Sequence, residues 1–379
     1  MSDCDMVPLL LDQRDPAARG EAHGEVWREH IRELADMRVR LCLVRGNFRN
    51  EREVLDVAGL HLPALASREP PLFDELCGIA RGSNTTREAI VVLNHYTDLR
   101  DVPRSILDDP THVDIQGEIT PDGDADPGGC TALYANGPEG AILGQTWDMH
   151  GSAARFVRML RIQPKNGDQE LVMFTLTGCL GMAGMNEHGV AIAINNLSST
   201  DAHVGTVWTA VVRRMLEEPS AERACNVLFG AILSSGHNYM IADGNAFYGV
   251  ETSGTSKVLT QTGVHTAHLH TNHCLDPTLR KLERISSTST TFRRLELGTA
   301  LYAQTKPATL AQVWAFLSSH EGFPGSICSH VGEHSDDPSA SCTCGIVAMR
   351  MRDGLVRATS GCGHASRPID VCVERRSID

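Results

Sequence analysis

Long apolar runs are missing from this chain, and no stretch approaches the roughly 18 residues that a membrane-spanning helix needs. Near the N-terminus the run from Val7 to Leu11 is far too short for a leader, and acids stand where an export signal would carry positive charge. Cytoplasmic residence without a membrane partner is the expectation. Positive charge is also scarce, with 34 Lys and Arg against 47 Asp and Glu, a formal net charge of −13. Such a surface repels phosphate backbones and anionic lipid heads, which argues against nucleic acid as a partner. The 12 cysteines among 379 residues are too dilute for a small disulfide scaffold. Without an export signal they read as free thiols in a reducing compartment. There is no internal repeat, no low-complexity segment and no Gly-rich phosphate loop.

What remains is ordinary globular usage, 41% hydrophobic and 21% charged with 34 Gly and 17 Pro, in one large or two medium domains. Trp27, Ile31, Leu34, Met37, Leu41 and Val44 recur at helical steps and predict one amphipathic helix over 21–45, ended by Gly46. Further helices are expected over about 72–81 and, after the capping residues Ser83, Asn84 and Thr85, through Leu93. From Asp101 to Gly129 eight acids and four prolines predict an exposed linker that cannot cover a core.

Beyond it the pattern becomes short strands at about 131–134, 141–147, 157–163, 170–177 and 190–195, separated by Gly-containing turns. Two helices follow, about 207–217 and 221–233, the second with Pro219 at its expected first turn. Strands resume near 238–242, 246–251 and 265–272. A second helical pair, about 292–304 and 310–317, precedes a hairpin in which 344–352 and 355–360 flank Asp353-Gly354. Strands then a helix pair, repeated, predict sheets covered on their outer faces by helices.

The sharpest chemical feature is Gly128-Gly129-Cys130-Thr131, where the acidic linker meets the first strand. Two glycines permit backbone torsions closed to other residues. If the Gly129–Cys130 bond were cut, Cys130 would carry a thiol and an α-amine titrating near pH 7.7–8.0, nucleophile and general base in one residue. On the tetrapeptide alone, a buried, inert strand cysteine is the commoner outcome. The neighbouring Gly144-Gln145-Thr146-Trp147-Asp148 changes the weighing, because a hairpin would bring Asp148 beside the cysteine.

The ordered set GGCT, GQTWD, GMNEHGVAIAINN, SSGHNYMIADGNAFYGVE, HTNH and FPGSIC resembles the acyl-coenzyme A:6-aminopenicillanic acid acyltransferase family of N-terminal nucleophile hydrolases. Upstream, GEAHGE and ELCGIARGSN resemble the helices of that family's small subunit, so the likeness spans nearly the whole chain. The resemblance implies an α+β protein with an αββα four-layer sandwich. It also implies a precursor that cuts itself into a small helical chain 1–129 and a large catalytic chain 130–379, which stay associated.

By position, Cys130 would be the nucleophile of both self-cleavage and catalysis, Asp148 would orient the new α-amine, and Asn272 in HTNH would donate to the oxyanion. Trp147, Tyr134, His270 and Ser329 are candidate substrate contacts. Ser329 stands where related members carry an arginine after the SIC sequence, and Arg155 or Arg158 could supply that charge, although solvated strand arginines are the simpler reading.

The activity so implied is acyl transfer or amide hydrolysis on a small-molecule amide or thioester through an acyl-Cys130 intermediate, with no cofactor and no metal. Coenzyme A thioester is a conceivable donor, against which the acidic net charge argues mildly. Strict hydrolysis of N-acyl amines or small peptides is the alternative within the class. An unprocessed metal- or ligand-binding protein on the same scaffold is the alternative outside it. Its basis would be His265, His268, His270, His273 and Cys274 with Cys342, Cys344, Cys362 and His364, whose spacing fits no closed zinc pattern.

Overall fold

The computed structural model describes residues 6–109, 129–163, 169–264, 267–330 and 340–374. Most of the predicted acidic linker, Gly128 and His265 lie outside the described residues. The chain opens with a short strand β1 (Leu9–Leu11) and five helices: α1 (Pro16–Val26), α2 (Arg28–Arg45), α3 (Glu51–Arg68), α4 (Pro70–Ser83) and α5 (Arg87–Leu99). Strands β2 (Ala132–Gly137), β3 (Gly140–His150), β4 (Val157–Ile162), β5 (Leu171–Leu176), β6 (Ala183–Asn186) and β7 (Ala191–Leu197) follow. Helices α6 (Trp208–Met215) and α7 (Ala221–Gly230) precede β8 (Gly236–Ala242), β9 (Phe247–Thr252), β10 (Lys257–Thr262) and β11 (His268–His270). The chain then forms α8 (Thr291–Thr305), α9 (Leu310–Leu317), β12 (Ser341–Arg350), β13 (Leu355–Ser360) and β14 (Ile369–Cys372).

Eight strands in the order β1-β4-β5-β6-β7-β8-β9-β10 make one sheet, and six in the order β11-β2-β3-β12-β13-β14 make the other. The six-stranded sheet is buried on both faces, and its strands sort their side chains with a period of two. Leu133, Ile142, Ile346 and Ala348 pack under Leu310, Val313, Phe316 and Leu317 of α9. Their neighbours Tyr134, Leu143, Val347 and Met349 join the inner core with Val172, Phe174, Ile192 and Tyr239 of the other sheet. The Gln145 side chain crosses between sheets to accept the Ile194 N–H at 2.7 Å. Helices α1 to α7 pack on one another and meet the larger sheet through α1 on β1 and α7 on β8 and β9, completing the α+β four-layer sandwich. Among the described residues, no helix is long and apolar enough to cross a membrane.

Several local expectations change. The helix expected over 21–45 is two helices, broken at Trp27, whose φ of −115° and ψ of 28° leave the helical region. Helix α3 has no counterpart in the reading above, where Pro63 and the preceding loop masked its pattern; Asn50 caps it by accepting the Glu53 N–H. Thr86, not Ser83 to Thr85, caps α5, while Ser83 ends α4 and Asn84 takes its left-handed C-cap position. Ser220 caps α7, so Pro219 lies just outside that helix. The start of the expected exposed linker is built into the core instead: Asp101 accepts from Ser235 Oγ at 2.6 Å and from the Ser199 N–H at 3.1 Å.

Candidate active site

The β2–β3 hairpin pairs Ala132 with Gln145. Its ladder continues outward through the Thr146 N–H to the Thr131 carbonyl at 2.9 Å and the Thr131 N–H to Thr146 Oγ1 at 3.0 Å. That register carries Cys130 to the end of β3, where its buried Sγ lies 4.0 Å from the Asp148 carbonyl oxygen. Asp148 is itself buried, and β12 bulges directly opposite it: Thr343 pairs with Asp148 and Gly345 with Trp147, leaving Cys344 as the extra residue. Such a bulge re-aims local side chains and is common beside reactive sites.

Two side chains converge on the Cys130 carbonyl, Asn195 Nδ2 at 2.9 Å and Arg294 Nη1 at 2.9 Å. Arg294 enters from the first turn of α8 and is almost fully buried. Its Nη1 also reaches Thr131 Oγ1 at 3.1 Å, its Nε reaches Thr290 Oγ1 at 3.0 Å, and its Nη2 donates to Asn272 Oδ1 at 2.9 Å. Asn272 follows β11, and its backbone N–H donates to Thr291 Oγ1 at 2.8 Å while Nδ2 donates to the Asn196 carbonyl at 3.0 Å. A carboxamide nitrogen carries two hydrogens, so that bond engages one of them. Asn195 is held in turn by Asn238 Nδ2 at 2.9 Å.

Gly129 is wedged into this network. A Cβ built there would stand 2.6 Å from Asn272 Cγ and 2.7 Å from Arg294 Nη2, closer than carbon contacts permit. The diglycine signal in the sequence thus has a steric reason at its second position.

Gly129, Cys130, Trp147, Asp148 and Asn272 line one cavity of about 100 Å³. Its opposite wall comes from the first hundred residues, with Arg38, Tyr96 and Arg100, and from Arg284. The Arg38 and Arg100 guanidiniums lie 5.3 and 4.8 Å from the centre of the Tyr96 ring, a cation–π arrangement. His237 closes part of the wall, and burial pulls it down to about 3, so it lines the cavity as a neutral ring.

The other candidates are placed elsewhere. Tyr134 stacks on Phe247 and donates to the Val264 carbonyl at 3.2 Å. His270 is fully buried, with Nε2 at 2.7 Å from Glu251 Oε1 and Nδ1 at 2.7 Å from the Thr271 carbonyl. Ser329 donates its N–H to Thr343 Oγ1 at 2.8 Å. None of the three is on the cavity wall. Arg155 pairs with Glu33 at the surface, and Arg158 donates to the Arg155 and Val157 carbonyls, so the cavity's cations are others.

The histidine-rich segment does not gather a ligand set among the described residues. His270 is engaged by Glu251, and His273 Nδ1 by Thr291 Oγ1 at 2.9 Å. Sequence reasoning missed Arg38, although a signal existed: it stands among Ile31, Leu34, Ala35, Val39 and Cys42 on the buried face of α2. A charge on an apolar stripe marks either a pairing partner or a pocket.

The chain is similar to several known proteins. A family model described as acyl-coenzyme A:6-aminopenicillanic acid acyl-transferase matches residues 135–350. The acyl-coenzyme A:6-aminopenicillanic-acid-acyltransferase 40 kDa form of Emericella nidulans is 26% identical over 324 residues, 83% of each chain. Among solved structures, a mutant conjugated bile acid hydrolase from Clostridium perfringens aligns with a TM-score of 0.41 and 13% identity, covering 64% of this chain and 92% of that one. Penicillin V acylase from Agrobacterium tumefaciens aligns with a TM-score of 0.36 and 14% identity, covering 61% and 82%. The family match alone runs over more than half of the sequence, and the chain therefore belongs to the acyl-coenzyme A:6-aminopenicillanic acid acyl-transferase family.

Proposed function

We propose that this chain is made as a precursor that cuts its own Gly129–Cys130 bond and then works as a cysteine acyltransferase or amidohydrolase. In the first reaction the Cys130 sulfur adds to the Gly129 carbonyl carbon, the C–N bond breaks, and the acyl group passes to sulfur. Water then hydrolyses the thioester, leaving a Gly129 carboxylate and a Cys130 with free thiol and free amine.

In the second reaction the α-amine takes the thiol proton, sulfur attacks the amide or thioester carbonyl, and the leaving amine or thiol departs with that proton. Water or an acceptor amine releases the acyl group from Cys130. A base so placed contributes about 10²–10⁴ in rate. Asp148 fixes the orientation of the new amine, and the second Asn272 amide hydrogen donates to the oxyanion.

The observation that carries this reading is the position of the Gly129–Cys130 peptide itself. It lies on the cavity wall with Asp148, Asn272 and Arg294 around it. The substrate class follows from the opposite wall. Although the whole chain is acidic, Arg38, Arg100 and Arg284 make the cavity locally cationic. A small amide or thioester bearing an anionic group, acyl-coenzyme A included, fits that charge better than the net charge of the chain suggests.

Intact mass spectrometry of fresh protein tests the proposal. The expected products are residues 1–129 and 130–379, their masses exceeding the uncut chain by one water in total. Cys130→Ala should remain one chain without acyl transfer. A cleaved, active Cys130→Ala protein would overturn the assignment.

A further inference from the structure

Outside the cavity, four side chains from three separate segments converge on one point. His320 follows α9, Cys328 and His330 belong to the next loop, and Cys362 follows β13. One donor atom from each lies within 4.8 Å of all the others. His320 Nε2 is 2.8 Å from His330 Nε2 and 3.3 Å from Cys362 Sγ, and Cys328 Sγ is 4.0 Å from His330 Nε2. We propose that these four residues form a structural zinc site that clasps the loop after α9 to the turn after β13.

The chemistry of the donors selects the metal. Two sulfurs and two imidazole nitrogens, with no carboxylate among them, are the donor set of tetrahedral zinc rather than of calcium or magnesium, which take oxygen. Zinc with Zn–S near ~2.3 Å and Zn–N near ~2.0–2.1 Å holds its donors about 3.3–3.8 Å apart. The observed separations bracket that range, so closing on an ion requires only small side-chain movements.

Binding replaces two thiol protons, which leave to solvent, by one Zn²⁺ shared between two thiolates and two neutral rings. The site is then electrically neutral. Four protein donors leave no open position, which makes the role structural, not hydrolytic.

The surroundings are already arranged for it. The His364 N–H donates to Cys362 Sγ at 3.3 Å, an outer contact that suits a thiolate ligand. The Cys328 N–H donates to the Ser319 carbonyl at 3.0 Å, and Ser326 Oγ to the Cys328 carbonyl at 2.6 Å, so the loop is closed on itself before any ion enters. Cys362 starts a turn in which the Ser366 N–H returns to its carbonyl at 3.0 Å.

The clasp also borders the reactive region. Ser329, between Cys328 and His330, donates to Thr343 Oγ1, and Thr343 is the strand partner of Asp148. The metal would therefore brace the strand opposite Asp148.

The test is made on the full-length protein and does not read enzymatic activity. Protein produced with added zinc and freed of loosely held metal should contain about one zinc per chain by elemental analysis. Reconstitution with Co²⁺ should give the visible bands of tetrahedral cobalt and a sulfur-to-cobalt charge-transfer band. His320 is exposed, so His320→Ala should fold, yet it should lose most of the zinc, as should Cys362→Ser. Cys372→Ser, at an exposed cysteine outside the cluster, should stay fully loaded. Cys130→Ala should also stay loaded, which separates this result from the fate of the self-cleavage proposal. Folded wild-type protein without zinc, stoichiometric zinc retained by both His320→Ala and Cys362→Ser, or a Cys328–Cys362 disulfide in freshly purified protein would each overturn the site.

Discussion

Asn272 has two separable duties, because its Oδ1 accepts from Arg294 while its nitrogen faces the Asn196 carbonyl and the cavity. In the proposed mechanism Asn272→Ala removes a donor from the developing oxyanion, a loss of about 2.7–4 kcal/mol in comparable sites. Steady-state kinetics on mature protein should show kcat/KM reduced about 10²–10³-fold, with the melting temperature shifted by only a few degrees. A large drop in melting temperature with normal turnover would make it a structural residue.

His23 gives a pH prediction. Its buried Nε2 accepts the Gly178 N–H at 2.9 Å, and burial pulls its pKa from 6.5 down to about 4. The unfolded chain gains a proton near pH 6.5 that the native protein refuses until about pH 4. Its contribution is thus complete above the unfolded pKa and is lost as pH falls through that window, at about 1.4 kcal/mol per pH unit. The melting temperature of His23→Gln should fall less steeply than wild type between those limits; parallel curves would exclude the effect. Cys130 and Asp148 could be paired in advance because eighteen residues with a central turn make a hairpin. Arg294 could not, since only the fold brings α8 to the Cys130 carbonyl.

The packing of α1 on α4 is the tightest contact between helices. Gly20 and Gly24 on one, Gly78 and Gly82 on the other, repeat at four-residue spacing and let the two backbones touch. A Cβ at Gly78 would stand 2.8 Å from the Glu21 nitrogen and 3.0 Å from Gly20 Cα. Gly78→Ala should therefore force the helices apart and cost about 1–3 kcal/mol, read as a lower denaturation midpoint. Unchanged stability would show that the helices separate freely.

These glycines stood out in the sequence only as segments resembling a known small subunit; their spacing explains why that pattern is tied to the fold. Most strands of the large region were visible from their alternation and turn residues, but β6, β10 and β14 were not among those expected. Helix α2 was misaligned because Met37, Leu41 and Val44 continue an apolar series, whereas the buried side runs through Ala35, Arg38, Val39 and Cys42, and Val44 is 73% exposed. Local periodicity offered two stripes, and only packing against the neighbouring helices, α5 and α3 above all, chose between them.

The molecule as a whole is knitted across the proposed cut. Strand β1 pairs in parallel with β4, Glu75 bonds both Arg19 and Arg213, and His61 meets the Gly205 carbonyl at 2.9 Å. After self-cleavage, fragments 1–129 and 130–379 should co-elute on size exclusion and separate only in denaturant, as gel analysis of the peak would show. Elution as two independent species would contradict the shared core. Net charge was the least informative whole-chain quantity, because a total of −13 coexists with an arginine-lined cavity.

That cavity wall has an evolutionary consequence. Because Arg38, Tyr96 and Arg100 belong to the stretch ahead of the proposed cut, while the proposed reactive sulfur of Cys130 belongs to the stretch behind it, selection could redesign the mouth of the cavity without disturbing the proposed bond-breaking parts. Exchange of the leading segment between relatives would carry ligand preference with it, an arrangement akin to interchangeable heads on one tool.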